Sequence, residues 1–411
     1  AVLGVGSNSK LFRNVREKES LAYDAMSSYI RNTNILCIAA GIELKNYEKT
    51  LNIKEQMVRN LVNKTLSDKV VVNKTIGMGN PYHYRNKAQF PVGLDKQNEK
   101  KVGVFAKRTH EIIPIKDCLI QNAISQKIAF SIQKFINEKN ISVYNEETLK
   151  GLFRHIVIKV GIRTHEIMCI LVVNGKKLEY EQELVEMLVK TYNVKTIIKN
   201  INTKNTNVIL GNENIVLHGD GYIYDILGEY TFKISPMSFY QVNPIQAEVL
   251  YNTAIEMAKL DKEDILFDLY CGIGTIGIFA SDKVAKLYGI ETIPQAIEDA
   301  KENAKANHVD NCTFVAAKAE EWLPKWVKKG NKLDVAIIDP PRKGCEPPAL
   351  DALITSEAEK IVYVSCNPST LARDIKYLCE NGYRLEKVQP VDLFPQTFHC
   401  ECVAKLVRDN V

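Results

Sequence analysis

DILFDLYCGIG, residues 264–274, is the stretch that decides the fold. Its apolar run reads as a buried strand, and Gly272 and Gly274 turn the chain into a following helix. Glycine lets backbone approach a ligand closely, and the first turn of a helix offers N–H groups with no intrahelical partner. The same grammar repeats toward the C terminus. KLYGIE (286–291) is a strand with a helix after it, running to Asn307. DVAIIDPP (334–341) and KIVYVSCNP (360–368) are further strands, and ECVAKLVR (401–408) closes the sheet. Strands alternating with helices predict a Rossmann-like, doubly wound α/β domain over residues 235–411.

Toward the N terminus the pattern changes. Residues 71–234 carry short β-rich runs, such as AQFPVGL (88–94), HIVIKVGI (155–162) and EIMCILVVNG (166–175), with helices expected over 124–137 and 181–190. That mixture predicts a central α+β domain. Residues 1–70 are expected to be mainly helical, because 17–30 and 51–62 space their apolar residues three and four apart.

Composition sets wide bounds. At 411 residues the chain exceeds one small core, so two or three domains are expected. The 54 Lys and Arg against 49 Asp and Glu leave a net charge of +5, which permits a nucleic-acid partner without demanding one. With no apolar run of about 18 residues, no membrane span is expected. The absence of a basic-then-apolar leader and ten scattered cysteines point to reduced thiols and a cytoplasmic location.

Three strand ends carry chemistry. The strand after the glycine turn ends in Glu291, where a carboxylate can take both ribose hydroxyls of a nucleotide-like cofactor. Gly272, Gly274 and Gly277 also satisfy the G-x-G-x-x-G spacing, so a dinucleotide dehydrogenase is the competing reading of this turn alone. Asp339 and Cys366 follow the next two strands, and ligands in such sheets bind beyond the carboxyl ends. Both are therefore expected to face one crevice. From position alone Cys366 is either a nucleophile or a buried thiol.

DPPRKG (339–344), SCNPSTLARD (365–374) and FPQTFHCE (394–401) resemble the RNA 5-methyluridine methyltransferase family. So do SPMSFYQVN (235–243) and YRNKAQFPV (84–92), and the wording is nearest the bacterial 23S ribosomal RNA branch. The resemblance implies an S-adenosylmethionine-dependent methyltransferase domain over 235–411 and a central RNA-binding domain over 71–234. It implies Cys366 as nucleophile and Glu401 as base. Gln241, Tyr270, Gly272, Thr275, Glu291 and Asp339 would contact the cofactor, with Lys318 at a further cofactor-side position. Phe239, Gln241, Asp339, Arg342 and Lys343 would contact the substrate.

The implied chemistry is coherent. Carbon 5 of uracil is a poor nucleophile. A thiolate adding to carbon 6 activates it, and a base must then remove the carbon 5 proton so that the thiolate can leave. A stacked target uridine would have to be flipped out. Tyr82, Tyr84, Arg85 and Lys87, with Lys107, Arg108 and His110, mix rings and positive charge as RNA surfaces do. A transfer RNA substrate and a non-catalytic RNA-binding protein are the alternatives; the latter predicts a broken nucleophile or base, and both residues are present. DNA cytosine methylation is disfavoured by the central domain and by Cys366 following DPPRKG. A monomer is expected.

Many members of that family hold an iron–sulfur cluster on four cysteines. Here Cys37 and Cys118 resemble two of them, but Ala40 stands where the partner of Cys37 would be. Two thiols cannot supply four ligands, so no cluster is expected. The family's N-terminal β-barrel is also expected to be missing.

Overall fold

The computed structural model describes residues 24–30, 35–41, 46–66, 70–106, 111–115 and 117–409. Two compact units emerge, residues 1–81 with 245–411, and residues 82–244. This boundary differs from the expected divisions at 70/71 and 234/235, and packing explains why. Helix α1 (Tyr47–Thr65) buries Val58 and Val62 in the same core as the C-terminal sheet. In the other unit, residues 235–243 are tied back to the strand region around Asn86. The Asn86 side chain donates to the Gln241 carbonyl at 3.0 Å and its backbone N–H to that of Val242 at 2.8 Å.

The expectation of a mainly helical N-terminal region fails in its first part. Strands β1 (Asp24–Ile30) and β2 (Ile35–Gly41) form an antiparallel hairpin, Ile30 opposite Ile35 and Asp24 opposite Gly41. Residues 17–23 of the expected helix lie outside the described residues. A few apolar residues at helical spacing cannot outweigh pairing along a whole strand, and ILCIAAG has the β-branched, two-sided character of a strand. The expectation for 51–62 holds within α1.

In the second unit, seven strands form one sheet: β4 (Lys87–Leu94), β5 (Lys100–Phe105), β6 (Ile112–Pro114), β7 (Phe153–Val160), β8 (Ile167–Val173), β9 (Thr196–Ile201) and β10 (Glu213–His218). Helices α2 (Ala123–Glu138) and α3 (Glu181–Tyr192) pack on it through residues such as Ile128, Ile132, Leu184 and Leu188. Every residue of β7 and β8 is buried; β8 accordingly reads as a continuous apolar run, whereas β7 also buries Arg154, His155 and Lys159. A separate hairpin, β11 (Ile223–Leu227) with β12 (Tyr230–Ile234), leads into the 235–243 segment.

The other unit holds the sheet foreseen from residues 264–274. Helix α4 (Pro244–Ala258) precedes it. Its strands are β3 (Val71–Val72), β13 (Ile265–Leu269), β14 (Lys286–Glu291), β15 (Cys312–Ala316), β16 (Val335–Ile338), β17 (Lys360–Ser365), β18 (Tyr383–Val391) and β19 (Glu401–Arg408). Their order is β15-β14-β13-β16-β17-β19-β18-β3. Helices α5 (Thr275–Ala280), α6 (Pro294–Ala306), α7 (Ala319–Val327), α8 (Pro347–Ser356) and α9 (Pro368–Cys379) connect the strands. The first five strands are parallel, and β19 enters antiparallel between β17 and β18. From β13 the chain winds one way to β14 and β15, then the other way to β16 and β17. The reversal opens a crevice between β13 and β16, where such sheets bind ligands.

Candidate active site

The crevice is lined first by backbone. Leu269 pairs with Ile290 on one side and with Ile338 on the other, so Tyr270, Glu291 and Asp339 stand one step beyond the same row. The chain then turns through Tyr270 (φ +67), Gly272 (φ +53) and Gly274 (φ +81) into α5. Asp268 locks this turn, its carboxylate accepting the Gly277 N–H at 2.8 Å. Glu291 spans to the turn as well. One carboxylate oxygen accepts the N–H groups of Thr292 (2.7 Å) and Ile293 (3.1 Å), and the other takes the Gly272 N–H at 3.3 Å.

A nucleotide-like cofactor fits this arrangement. A Cβ built at Gly272 meets nothing within 4 Å, so the glycine faces open space and not the core. At Gly277 the same atom would press on Leu287 and Asp268, so this third glycine serves helix–strand packing. Burial pushes the carboxyl of Asp268 up to about 7, with Asp339 and Glu291 adding to the shift. The crevice is thus strongly acidic in composition, which suits hydroxyl and ammonium groups and opposes phosphate.

Two expected contacts are turned elsewhere. The Tyr270 ring packs against the sheet's core and its hydroxyl meets the Cys345 thiol, although its backbone lies in the turn. The Thr275 hydroxyl donates to that of Tyr251 at 3.3 Å. Lys318 is exposed and pairs with Glu321 at 2.9 Å.

Side chains build the other half of the crevice. Ser365 pairs with Cys402 at the end of β17 and the start of β19, so one further step of the same register sets Cys366 opposite Glu401. Glu401 and Asp339 both act electrostatically on Cys366, and Arg342 acts against them. Burial pushes the Cys366 thiol up to about 11, and the two carboxylates add to the shift. Burial likewise raises Glu401 well above the usual carboxylate range, helped by Asp339, and lifts Asp339 to about 7. Each acid has lost water, so each holds its proton to a higher pH than a solvated carboxyl does.

The loop after Asp339 is braced against the loop after Cys366. Asn367 Nδ2 and the Thr370 hydroxyl both donate to the Arg342 carbonyl, at 3.1 and 3.3 Å. Arg373 donates to the Lys343 carbonyl at 2.9 Å, and Asp374 accepts the Cys345 N–H at 2.8 Å. The Asn367 side chain also caps α9 by accepting the Ser369 N–H. Arg342 and Lys343 are exposed, with Lys343 paired to Glu346 at 2.6 Å.

Phe239 and Gln241 belong to the other unit. Phe239 is 68% exposed, an unusual degree for an aromatic ring, while Gln241 is buried. Lys159 orders their segment by donating to the carbonyls of Ser235 (2.8 Å) and Ser238 (3.0 Å). Of the expected RNA-facing residues in this unit, Tyr84 is a correction. It is buried at 3% exposure and belongs to the core, because the alternation of the strand it precedes turns it inward. Lys107, Arg108 and His110 lie outside the described residues.

Fold and crevice together define a Rossmann-like domain for a nucleotide-type cofactor: a doubly wound sheet, a glycine turn at the reversal of strand order, and an acidic residue ending the next strand. The chain belongs to the tRNA (uracil-5-)-methyltransferase family, whose model matches residues 46–409. RNA methyltransferases of Clostridium tetani and Caldanaerobacter subterraneus are 45% identical to it over 368 and 373 residues. These matches cover 89% and 90% of this chain and 80% and 82% of theirs. Among solved structures, the Pyrococcus abyssi tRNA (uracil-54, C5)-methyltransferase in complex with S-adenosyl-L-homocysteine is similar, with a TM-score of 0.72 and 28% identity. That match covers 88% of this chain and 84% of the archaeal one.

The family match begins at residue 46, so Cys37 lies outside it. Residues 1–73 instead match the model named peptidase M16 inactive domain. Among the described residues no group of three or more His, Cys, Asp or Glu is placed to hold a metal ion. No described helix is long and apolar enough to cross a membrane.

Sequence reading missed Tyr47, Lys54 and Asp392, which knit α1 to the loop before β19. One signal was available. Lys54 stands on the face of α1 that buries Tyr47, Val58 and Val62, and a charged residue inside an apolar stripe marks a buried polar contact.

Proposed function

We propose that this chain transfers a methyl group from S-adenosylmethionine to carbon 5 of a uridine in RNA. The observation that carries the proposal is the placement of Cys366 opposite Glu401, beside Asp339, at the same sheet edge as the glycine turn. Gly272 and Glu291 would hold the cofactor, with Asp339 and the backbone of Tyr270 and Thr275 along the same crevice. The cofactor supplies an electrophilic methyl group when bound.

The chain's own residues supply the rest. Cys366 loses its thiol proton to water, its sulfur bonds to carbon 6, and the electron pair of the C5–C6 double bond moves onto the carbon 4 carbonyl as an enolate, which makes carbon 5 nucleophilic. A thiol of raised pKa yields a scarcer but intrinsically stronger nucleophile. After methylation Glu401 takes the carbon 5 proton, the double bond reforms, and sulfur leaves with its electron pair. Glu401 does this in its ionised form, and a carboxylate whose pKa burial has raised is a stronger base toward that carbon acid than a solvated one. Arg342 and Lys343 meet flanking phosphates in this reading, and Phe239 and Gln241 keep the roles that resemblance assigns them beside uracil and cofactor.

The substrate is structured RNA in the cytoplasm, bound by a monomer, with the second unit as its RNA-binding domain. The wording of the C-terminal motifs favours 23S ribosomal RNA. The family name and the archaeal enzyme's substrate favour transfer RNA. Incubation with methyl-labelled cofactor and unmodified ribosomal or transfer RNA, followed by mapping of the label, decides between them. Label on carbon 5 of a uridine is expected; failure to label either RNA, or label on another atom, removes the reading.

A further inference from the structure

The loop joining β18 to β19 delivers Glu401, and its shape is set from far away in the chain. Lys54, on α1, enters this loop with its side chain 4% exposed and pairs with Asp392, fully buried, at 2.6 Å. The same ammonium donates to the carbonyls of His399 at 2.7 Å and Phe394 at 3.3 Å. Tyr47, two turns earlier on the same face of α1, donates its hydroxyl to the second carboxylate oxygen of Asp392 at 2.7 Å. That hydroxyl in turn accepts the Met78 N–H at 2.9 Å. The Asp392 N–H donates to the Ile76 carbonyl, and Gln246 donates to the Asp392 carbonyl.

Folding alone is a poor reason for an ammonium in this place. An apolar side chain of similar length would fill the space without the cost of drying a charge. An apolar chain cannot, however, hold two carbonyl groups from opposite ends of one loop. Lys54 has three N–H donors and three acceptors, and the last acceptor lies two residues before Glu401. A carboxyl with few local ties takes its position from the backbone that carries it.

We propose that Lys54, with Asp392 and Tyr47, forms a positioning clamp for Glu401 and so governs removal of the carbon 5 proton. The clamp rests on the reading of Glu401 as the base. None of the three residues touches the substrate in this scheme; they act through the loop. Cys366 is carried by a different strand, so formation of the covalent adduct is independent of the clamp.

The test uses the full chain with Lys54→Met and with the double substitution Lys54→Met, Asp392→Asn. The double variant removes the stranded carboxylate, and with it the main threat to folding, while still leaving both carbonyls unheld. RNA carrying tritium at uridine carbon 5 reports proton removal, and a denaturing gel reports the protein–RNA adduct. In a folded double variant, adduct is expected to form at the wild-type rate. Tritium release is expected to slow roughly 10- to 100-fold, the scale of a misplaced catalytic group, so that adduct accumulates. Release at the wild-type rate, or joint loss of adduct formation and release, overturns the clamp. If Glu401→Gln traps adduct and the clamp variants do not, the clamp alone fails. Absence of release and adduct in the wild-type chain with either RNA takes down the base assignment and the clamp together.

Discussion

The two halves of the crevice are made of different material. At the β13–β14 edge the parts are backbone groups close in sequence: Asp268 holds Gly277, and Glu291 holds Gly272. At the β17–β19 edge the parts are side chains gathered from Asp339, Cys366 and Glu401, with the loop before Glu401 held by Lys54. The first edge is preformed by a local turn. The second depends on long-range pairing, and its acids are all shifted by burial. A backbone cradle tolerates much and reads easily from sequence, whereas a side-chain constellation exists only after the chain has folded.

The largest expected effect breaks the side-chain edge outright. Cys366→Ala should bring methyl transfer to background, scored with labelled cofactor, because no other thiol faces this register position. Glu401→Gln should lower turnover roughly 10²- to 10⁴-fold, the usual weight of a general base, while trapping RNA as a band shifted on a denaturing gel. Methylation persisting in the first variant would dissolve the contrast between the two edges.

Breaking the backbone edge should act differently. Gly272→Val forces a branched residue to φ +53, a strain of about 1–2 kcal/mol, and places its methyls in the open space of the cradle. Cofactor affinity by calorimetry should fall at least about tenfold, with a melting temperature lowered by only a few degrees. Equal losses of stability and affinity would mean that the turn faces the core.

Smaller effects sharpen the electrostatic half. With its thiol at about 11, Cys366 should alkylate with iodoacetamide faster at every step from pH 7 to pH 10, followed by peptide mass spectrometry. Glu401→Gln removes one of the carboxylates that raise the thiol and should speed the reaction a few-fold at pH 9; Arg342→Ala should slow it.

The smallest effect concerns stability. The carboxyl of Asp339 rises from 3.8 to about 7 on folding. The native state therefore binds the extra proton between those values, and this group's contribution to stability is lost as pH climbs through that window. Asp339→Asn should remove the loss, gaining on the order of 1–3 kcal/mol at pH 8 relative to wild type and little at pH 4. Chemical denaturation at the two pH values measures it.

Legibility followed the same divide. The strands around DILFDLYCGIG, KLYGIE, DVAIIDPP and KIVYVSCNP were readable because each is a short apolar run ending in a turn signal, and the sheet then has one sensible winding. Glu291 was readable because a fixed number of elements separates it from the turn. The helix expected over 17–30 was not a helix where it is described, since a partner strand at 35–41 outcompeted local periodicity. Tyr84 read as an RNA-facing ring and proved buried, a matter of which face of a strand meets the core. Lys54 carried a signal in its helix face, but nothing near it in sequence names Asp392, Phe394 and His399 as its partners.

By itself, then, the sequence determined the doubly wound sheet, its crevice and the residue types placed there, because periodicity, turns and strand ends are local properties. Tertiary structure decided that Cys366 faces Glu401, that Asp339 stands close enough to act on both, and that α1 belongs to the catalytic sheet. Burial and charge coupling are set by residues distant in the chain, and no local pattern encodes the dielectric in which a side chain will finally sit.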